Sequence, residues 1–339
     1  MPELPEVETI CRGLNHLTLD RAILGGDVLL ASSIARSISA TDFLTKLKGK
    51  SIERWYRRGK YLLAELSQCS EGERERGRRG EGERGRVREF QGETPGNSEL
   101  PSSFFPLASS KHPLHPLQNP LPNFPLPSSQ TSWLGVHLRM TGQLLWVNQS
   151  EPVPKHTRVR LFLEGNQELR FVDQRTFGQM WYVPPETEVS SVITGLKVLG
   201  PEPFSADFSI AYFAQKLHRR ARPIKTALLD QSLVAGLGNI YADETLFVSG
   251  VLPTTLCADL TAEQIGRIHA AIVQVLDKAI ASGGTTFSNF LNVQGVNGNY
   301  GGVAWVYNRK GQPCRTCSMP IERIKLAGRS THFCPVCQI

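Results

Sequence analysis

The 339-residue sequence predicts a multidomain α and β protein: a β-sandwich or barrel with a helix packed on it, a helical domain, and a terminal β-hairpin held by zinc. Three observations carry this. Short strand-like segments follow one another at 23–30, 50–56, 61–66, 134–140, 143–147, 158–163, 168–172 and 178–183, with turns such as Glu164-Gly165-Asn166 between them. Such a succession implies a sandwich or barrel. From Asp207 the apolar spacing becomes helical, and two CxxC pairs close the chain.

The opening residues, MPELPEVETI, lead into a helix over 2–15 with Val7, Ile10, Cys11 and Leu14 on one face. Removal of Met1 would leave the secondary amine of Pro2 beside the carboxylates Glu3 and Glu6. An α-amino group has a pKa of roughly 7.7–8 against about 10.4 for lysine, so a useful fraction is unprotonated and nucleophilic at neutral pH. Condensation of this amine with a sugar aldehyde gives an iminium that stays positively charged and serves as an electron sink. The plainer reading is a proline-stiffened surface segment whose small second residue permits methionine removal.

Residues 71–88 are almost wholly Glu, Gly and Arg, and 94–130 are rich in Pro, Ser and Asn. Neither stretch buries enough apolar surface to offset its ordering entropy. Between Gln68 and Gln130 eight basic residues balance eight acidic ones, so the chain's net charge of +7 belongs to the remainder. A basic folded body favours a polyanion such as nucleic acid. The sequence has neither a long apolar run nor a signal-peptide core, so no membrane partner and a soluble, intracellular protein are expected.

Helices are expected over 209–219, 224–229, 239–249 and 261–281. The last opens on the capping box Thr261-Ala-Glu-Gln264 and stops at Gly283-Gly284. Before the third lies Leu233-Val-Ala-Gly-Leu-Gly-Asn239, where Gly236 and Gly238 can turn amides toward a phosphate and Asn239 can donate from its side chain. A plain glycine-rich turn between helices is the alternative.

Cys314-Arg-Thr-Cys317 and Cys334-Pro-Val-Cys337 have the spacing of two knuckles on one tetrahedral Zn²⁺. Four thiolates leave no open coordination position, so one structural zinc is expected. Between the pairs, Ile321, Ile324 and Leu326 alternate with charged residues before Gly328-Arg329, a β-hairpin presenting Arg329 at its tip. Cys11, Cys69 and Cys257 are scattered and read as ordinary thiols of a reducing compartment.

Five motifs occur together and in order: PELPE at 2–6, RRGKYLL at 57–63, HLRMTG at 137–142, LVAGLGNIYADE at 233–244 and GRSTHFCPVC at 328–337. In these the chain resembles the bacterial formamidopyrimidine-DNA glycosylase family, over its whole length apart from roughly 68–130. The resemblance implies an N-terminal β-sandwich with a packed helix (2–185, carrying the insert 68–130), a helix-two-turn-helix domain (200–290) and a C-terminal zinc-finger hairpin (305–339). The implied partner is double-stranded DNA containing oxidised bases or abasic sites. The implied protein is a cytoplasmic, nucleoid-associated monomer.

By the same resemblance Pro2 is the Schiff-base nucleophile, Glu3 the acid for the deoxyribose ring oxygen with Glu6 in support, and Lys60 and Arg329 assist elimination. Asn239, His156, Arg175 and Arg220 would contact DNA, and Lys225 would lie near the lesion. Met140, Arg175 and Phe177 would fill the void left by a base swung out of the duplex, with the Arg175 guanidinium bonding the orphaned cytosine. Gln174 and Thr176 depart from the family's usual Pro and Arg, which puts one phosphate contact in doubt. The Asn- and Gly-rich segment 290–307 sits where the family has a flexible lesion-recognition loop. The implied reaction is removal of oxidised purines followed by β,δ-elimination. The alternatives are the sister endonuclease VIII activity on oxidised pyrimidines and a noncatalytic zinc-dependent binder of damaged DNA.

Overall fold

The computed structural model describes residues 2–68, 131–218, 220–285 and 292–339. The low-complexity reading of 68–130 falls almost wholly outside these residues, as does the part of the recognition-loop reading at 290–291.

Helix α1 spans Leu4–Leu17. Glu3 is its N-cap, so it starts two residues later than the sequence pattern suggested and leaves Pro2 ahead of the first turn. Strands β1 (Ile23–Val28), β2 (Lys50–Arg58), β3 (Tyr61–Gln68), β4 (Ser132–His137), β5 (Gly142–Asn148), β6 (Thr157–Leu163), β7 (Gln167–Asp173) and β8 (Gln179–Val183) form two four-stranded sheets ordered β2-β3-β4-β8 and β1-β6-β7-β5. Every strand pair is antiparallel. The architecture is therefore the sandwich. Its core joins Ile52, Trp55, Leu62, Leu134 and Val136 of one sheet to Leu144, Val159, Leu161 and Phe171 of the other. Val7, Ile10, Cys11 and Leu14 of α1 pack into the same core, as the stripe predicted.

Strand β4 stops at His137 rather than running through 140, because Arg139 takes a positive φ of 54° and turns the chain toward the other sheet. Met140 consequently lies in a turn, half-buried. Helix α2 (Ala40–Leu47) was not anticipated. Its signals are local: Ser39 caps the Asp42 amide at 3.0 Å, and Phe43 and Leu47, one turn apart, are fully buried.

Helices α3 (Ile210–His218), α4 (Ile224–Leu228), α5 (Asn239–Ser249) and α6 (Ala262–Ala281) enclose a second core that also receives Leu4. Both bonds of the Thr261/Gln264 capping box are made, at 3.0 and 3.2 Å. Gly283 and Gly284 end the segment with φ of 73° and 82°. At the C-terminus β9 (Glu322–Leu326) and β10 (Arg329–Phe333) pair through Ala327 and Gly328, both at positive φ, which suits a two-residue hairpin turn. Among the described residues no helix is long and apolar enough to cross a membrane.

Candidate active site

The chain's beginning is folded into its middle. Pro2 and Glu3 are buried, and the Leu4 amide donates to the Gly236 carbonyl at 3.0 Å. The Glu3 carboxylate sits at the N-terminus of α5, accepting from the Ile240 amide at 3.0 Å and the Tyr241 amide at 3.4 Å. A helix N-terminus favours negative charge there, yet loss of water dominates and raises the Glu3 pKa above the ordinary carboxylate value.

This arrangement revises the reading of the glycine-rich turn. A Cβ on Gly238 would stand 2.3 Å from Glu3 Cδ, and one on Gly236, at φ +90°, 2.6 Å from Leu4 Cδ1. The glycines make room for residues 3 and 4, and the first amides of α5 face Glu3 rather than an open surface.

Glu6 reaches back to accept the Glu3 amide at 2.8 Å. It also accepts from the Thr285 amide at 2.8 Å and the Tyr241 hydroxyl at 2.6 Å. Burial, and then the nearby Glu3 charge, push its pKa up to about 7. Lys60, in the turn between β2 and β3, is buried and donates to the Leu237 carbonyl at 2.9 Å. Burial lowers its pKa, Glu3 and Glu6 act in the opposite sense, and the Arg329 charge adds to the lowering. Glu3, Lys60 and Arg329, far apart in sequence, are thus linked electrostatically through Lys60, and Pro2 directly precedes Glu3.

Several residues that shape this site were not singled out from sequence. Glu202, almost fully buried, accepts from Arg57 at 2.6 Å, Arg58 at 2.9 Å and the Gly59 amide at 2.5 Å, fixing the turn that carries Lys60. On α5, Asp243 pairs with Lys225 at 2.6 Å and accepts the His332 amide at 2.9 Å. Glu244 accepts the amides of Trp305, Val306 and Tyr307 at 2.7–2.9 Å. The NIYADE stretch therefore faces the N-terminus through Tyr241, the zinc hairpin through Asn239 and Asp243, and the segment leading into the zinc element through Glu244. Its spacing alone does not reveal these partners.

Arg329 is exposed at the start of β10, as its hairpin pattern suggested. The next carbonyl, of Ser330, accepts from Lys225 at 2.6 Å and from Asn239 at 3.0 Å. Lys225 also bonds Thr331 Oγ1 at 2.9 Å and is completely buried. Rather than presenting its ammonium on an open face, Lys225 ties the hairpin to α4 and α5. Burial lowers its pKa against the opposing pull of Asp243. Asn239 likewise spends one amide donor on the hairpin.

The other expected DNA contacts lie on the sandwich and on the helical domain. Arg175 and Phe177 are exposed, with the guanidinium 4.9 Å from the ring centroid. Phe177, 52% exposed, is not a core residue. His156 is half-buried beside Arg158. Arg220 is half-buried and paired at 2.5 Å with Asp230, which also holds Arg222. The segment after the long helix is fastened in its described part: Val293 is buried in the sandwich core, its carbonyl accepting from the Trp146 amide at 2.8 Å.

Cys314, Cys317, Cys334 and Cys337 have their sulfurs within 4.8 Å of one another. At about 2.3 Å per Zn–S bond, tetrahedral zinc holds its thiolates roughly 3.8 Å apart, so the donor set fits one structural Zn²⁺. The Thr316 and Cys337 amides approach the sulfurs of Cys314 and Cys334 at 3.4 Å, as in metal knuckles.

Family models match almost the whole of this architecture. The formamidopyrimidine-DNA glycosylase N-terminal domain matches 1–80 and 110–180, that glycosylase's H2TH domain matches 199–290, and the zinc finger found in FPG and IleRS matches 311–339. The chain belongs to the formamidopyrimidine-DNA glycosylase family. It is 56% identical to a formamidopyrimidine-DNA glycosylase of Nostoc sp. (strain PCC 7120) over the full length of both chains, and 55% to one of Trichodesmium erythraeum over the full length of both. Its fold resembles a Lactococcus lactis FPG mutant in complex with Fapy-dG-containing DNA, with TM-score 0.75, 28% identity and 99% of each chain covered. Wild-type L. lactis FPG in complex with oxidised-pyrimidine DNA gives 0.74 at 29% identity, again with 99% of each chain covered. Family membership makes the chain a DNA-repair glycosylase with a structural zinc finger.

Proposed function

We propose that the chain is a bifunctional base-excision enzyme that removes oxidised purines, 8-oxoguanine and formamidopyrimidines, from duplex DNA and then cleaves the abasic site. After loss of Met1, the Pro2 nitrogen attacks the anomeric carbon, the damaged base leaves with the glycosidic electron pair, and the proton shed by the Pro2 nitrogen neutralises the departing base. Glu3, whose pKa burial raises above the ordinary carboxylate value, serves as the acid that gives a proton to the ring oxygen as the sugar opens to an iminium. Loss of a proton from the adjacent sugar carbon expels the 3′ phosphate, and a second elimination expels the 5′ phosphate. Lys60 and Arg329 grip these phosphates and stabilise their developing charge.

The observation that supports this reading is the Glu3 carboxylate, buried immediately after Pro2 on the first amides of α5 and beside the charge of Lys60. His156, Arg175, Arg220 and Asn239 serve as further DNA contacts, and Met140, Arg175 and Phe177 occupy the void left by the extruded nucleotide. Lys225 acts by placing the Arg329 hairpin. The functional division is 2–185, 200–290 and 305–339, in a monomer of the bacterial cytoplasm.

The test is product analysis on matched duplexes. Release of 8-oxoguanine with a one-nucleotide gap bearing phosphates at both ends is expected. Preferential excision of thymine glycol would move the substrate to oxidised pyrimidines, a second reading favoured by the fold's likeness to FPG bound to such DNA.

A further inference from the structure

The turn carrying Met140 and the loop carrying Arg175 and Phe177 hang from a single buried carboxylate. Asp173, the last residue of β7, is fully buried. One oxygen, Oδ1, accepts the Thr141 hydroxyl, next to Met140, and the Arg175 amide at 3.2 Å. The other, Oδ2, accepts the Gly178 amide at 2.8 Å. The Thr141 oxygen in turn accepts from the Arg175 amide at 3.0 Å, so the two segments are bonded to each other as well as to the acid.

The backbone of Asp173 extends this junction to His156. The Asp173 amide donates to the His156 carbonyl at 2.9 Å, and the Asp173 carbonyl accepts from Arg158 at 2.7 Å. Between the two amides held by the carboxylate lies Thr176, a β-branched residue at φ +57°, a conformation such residues seldom adopt. On the other segment Arg139 is also at positive φ, 54°, and its amide donates to His137 Nδ1 at 3.0 Å. Burial drives the His137 pKa down to about 3, so this nitrogen remains an acceptor at neutral pH.

We infer that Asp173 is a positioning residue for lesion and opposite-base discrimination: it locks Met140, Arg175 and Phe177 into one wedge without touching DNA. The inference rests on the reading of those three side chains as the void-filling set. The chemistry demands a carboxylate. Three donors converge on its two oxygens, and an amide has only one acceptor oxygen, so in an Asp173→Asn variant one side meets donor with donor. Gly178 completes the lock, since a Cβ there would come within 2.5 Å of Phe171 and 3.1 Å of Asp173 Oδ2.

The test compares the wild-type chain with Asp173→Asn, Thr141→Val and Thr141→Ser, using two substrates in the same duplex context. Single-turnover excision of 8-oxoguanine opposite cytosine or adenine reads the wedge. Strand cleavage at a preformed abasic site reads the Pro2 chemistry with much less demand on it. Asp173→Asn and Thr141→Val are expected to slow excision at least about tenfold, the effect of losing a hydrogen bond to a charged group, and to narrow the cytosine preference. Abasic-site cleavage should change by less than about threefold, and Thr141→Ser, which keeps the hydroxyl, should behave as wild type. Equal losses on both substrates, or none on either, would overturn the inference; should Asp173→Asn not fold, the Thr141 pair decides. A wild-type chain inactive on both substrates would overturn the functional reading and this inference with it.

Discussion

Replacing Gly238 by alanine isolates the placement of Glu3 from every other feature of the site. Gly238 has φ −135°, so alanine meets no backbone strain, and the effect comes only from the new methyl group. That carbon would stand 2.3 Å from Glu3 Cδ and 2.5 Å from Oε1, whereas ordinary contact begins at 3.4 Å. The carboxylate must retreat by roughly 1 Å, and a misplacement of that size near reacting atoms costs on the order of 100-fold in rate. The retreat also breaks or stretches the bonds from Ile240 and Tyr241, worth about 1–3 kcal/mol of stability, much of it recovered if water reaches the helix end. The assay is single-turnover base excision and abasic-site cleavage, with thermal unfolding run in parallel. Gly266→Ala in α6 is the control: its Cβ meets nothing within 4 Å, and it should gain roughly 0.5–1 kcal/mol with unchanged activity. Gly238→Ala with activity within about threefold of wild type would refute the proposed role of Glu3.

Three further outcomes follow from the same contacts. Glu6 has its pKa raised from 4.5 to about 7, so its contribution to stability is fully present below pH 4.5 and is lost as pH rises through 7. Glu6→Gln should remove on the order of 3 kcal/mol of that pH dependence, and a denaturation profile with unchanged slope over this window would contradict it. Asp243→Asn leaves Lys225 buried without its counter-charge, so a loss of about 3–5 kcal/mol and weaker binding of abasic-site DNA are expected by melting and titration. Unchanged DNA affinity would show that the hairpin does not depend on this pair. Zinc removal by a chelator should release one equivalent of metal and abolish DNA binding while leaving the sandwich folded by circular dichroism. Retention of tight binding by the metal-free chain would exclude the hairpin as a DNA element.

Much of this architecture could be read from local pattern because the pattern and the packing agree. The stripe Val7, Ile10, Cys11 and Leu14 enters the sandwich core, the Thr261/Gln264 box caps its helix, and the four cysteines converge. What escaped depends on distant partners. Glu202 meets the Gly59 amide across 143 positions, and nothing near Glu202 in sequence marks it as the support for Lys60. Asp243 and Glu244 lay inside a recognised motif, but helical periodicity does not say that one faces a buried lysine and the other three backbone amides. The pattern around Gly236 and Gly238 is that of phosphate-binding glycine loops, whereas here the chain's own third and fourth residues occupy the space. The early end of β4 has a local cause, the positive φ of Arg139, which arginine seldom adopts and which the apolar alternation through 140 does not signal.

The central claim is that the chain's second residue forms a covalent bond with DNA. Incubation of the protein, with Met1 loss confirmed by mass spectrometry, with an 8-oxoguanine:cytosine duplex and borohydride tests it directly. A reduced cross-link mapping to the Pro2 nitrogen, absent from Pro2→Gly, is the expected result, with a parallel abasic-site duplex giving the same adduct. No cross-link on either duplex would contradict the claim and leave a zinc-dependent binder of damaged DNA.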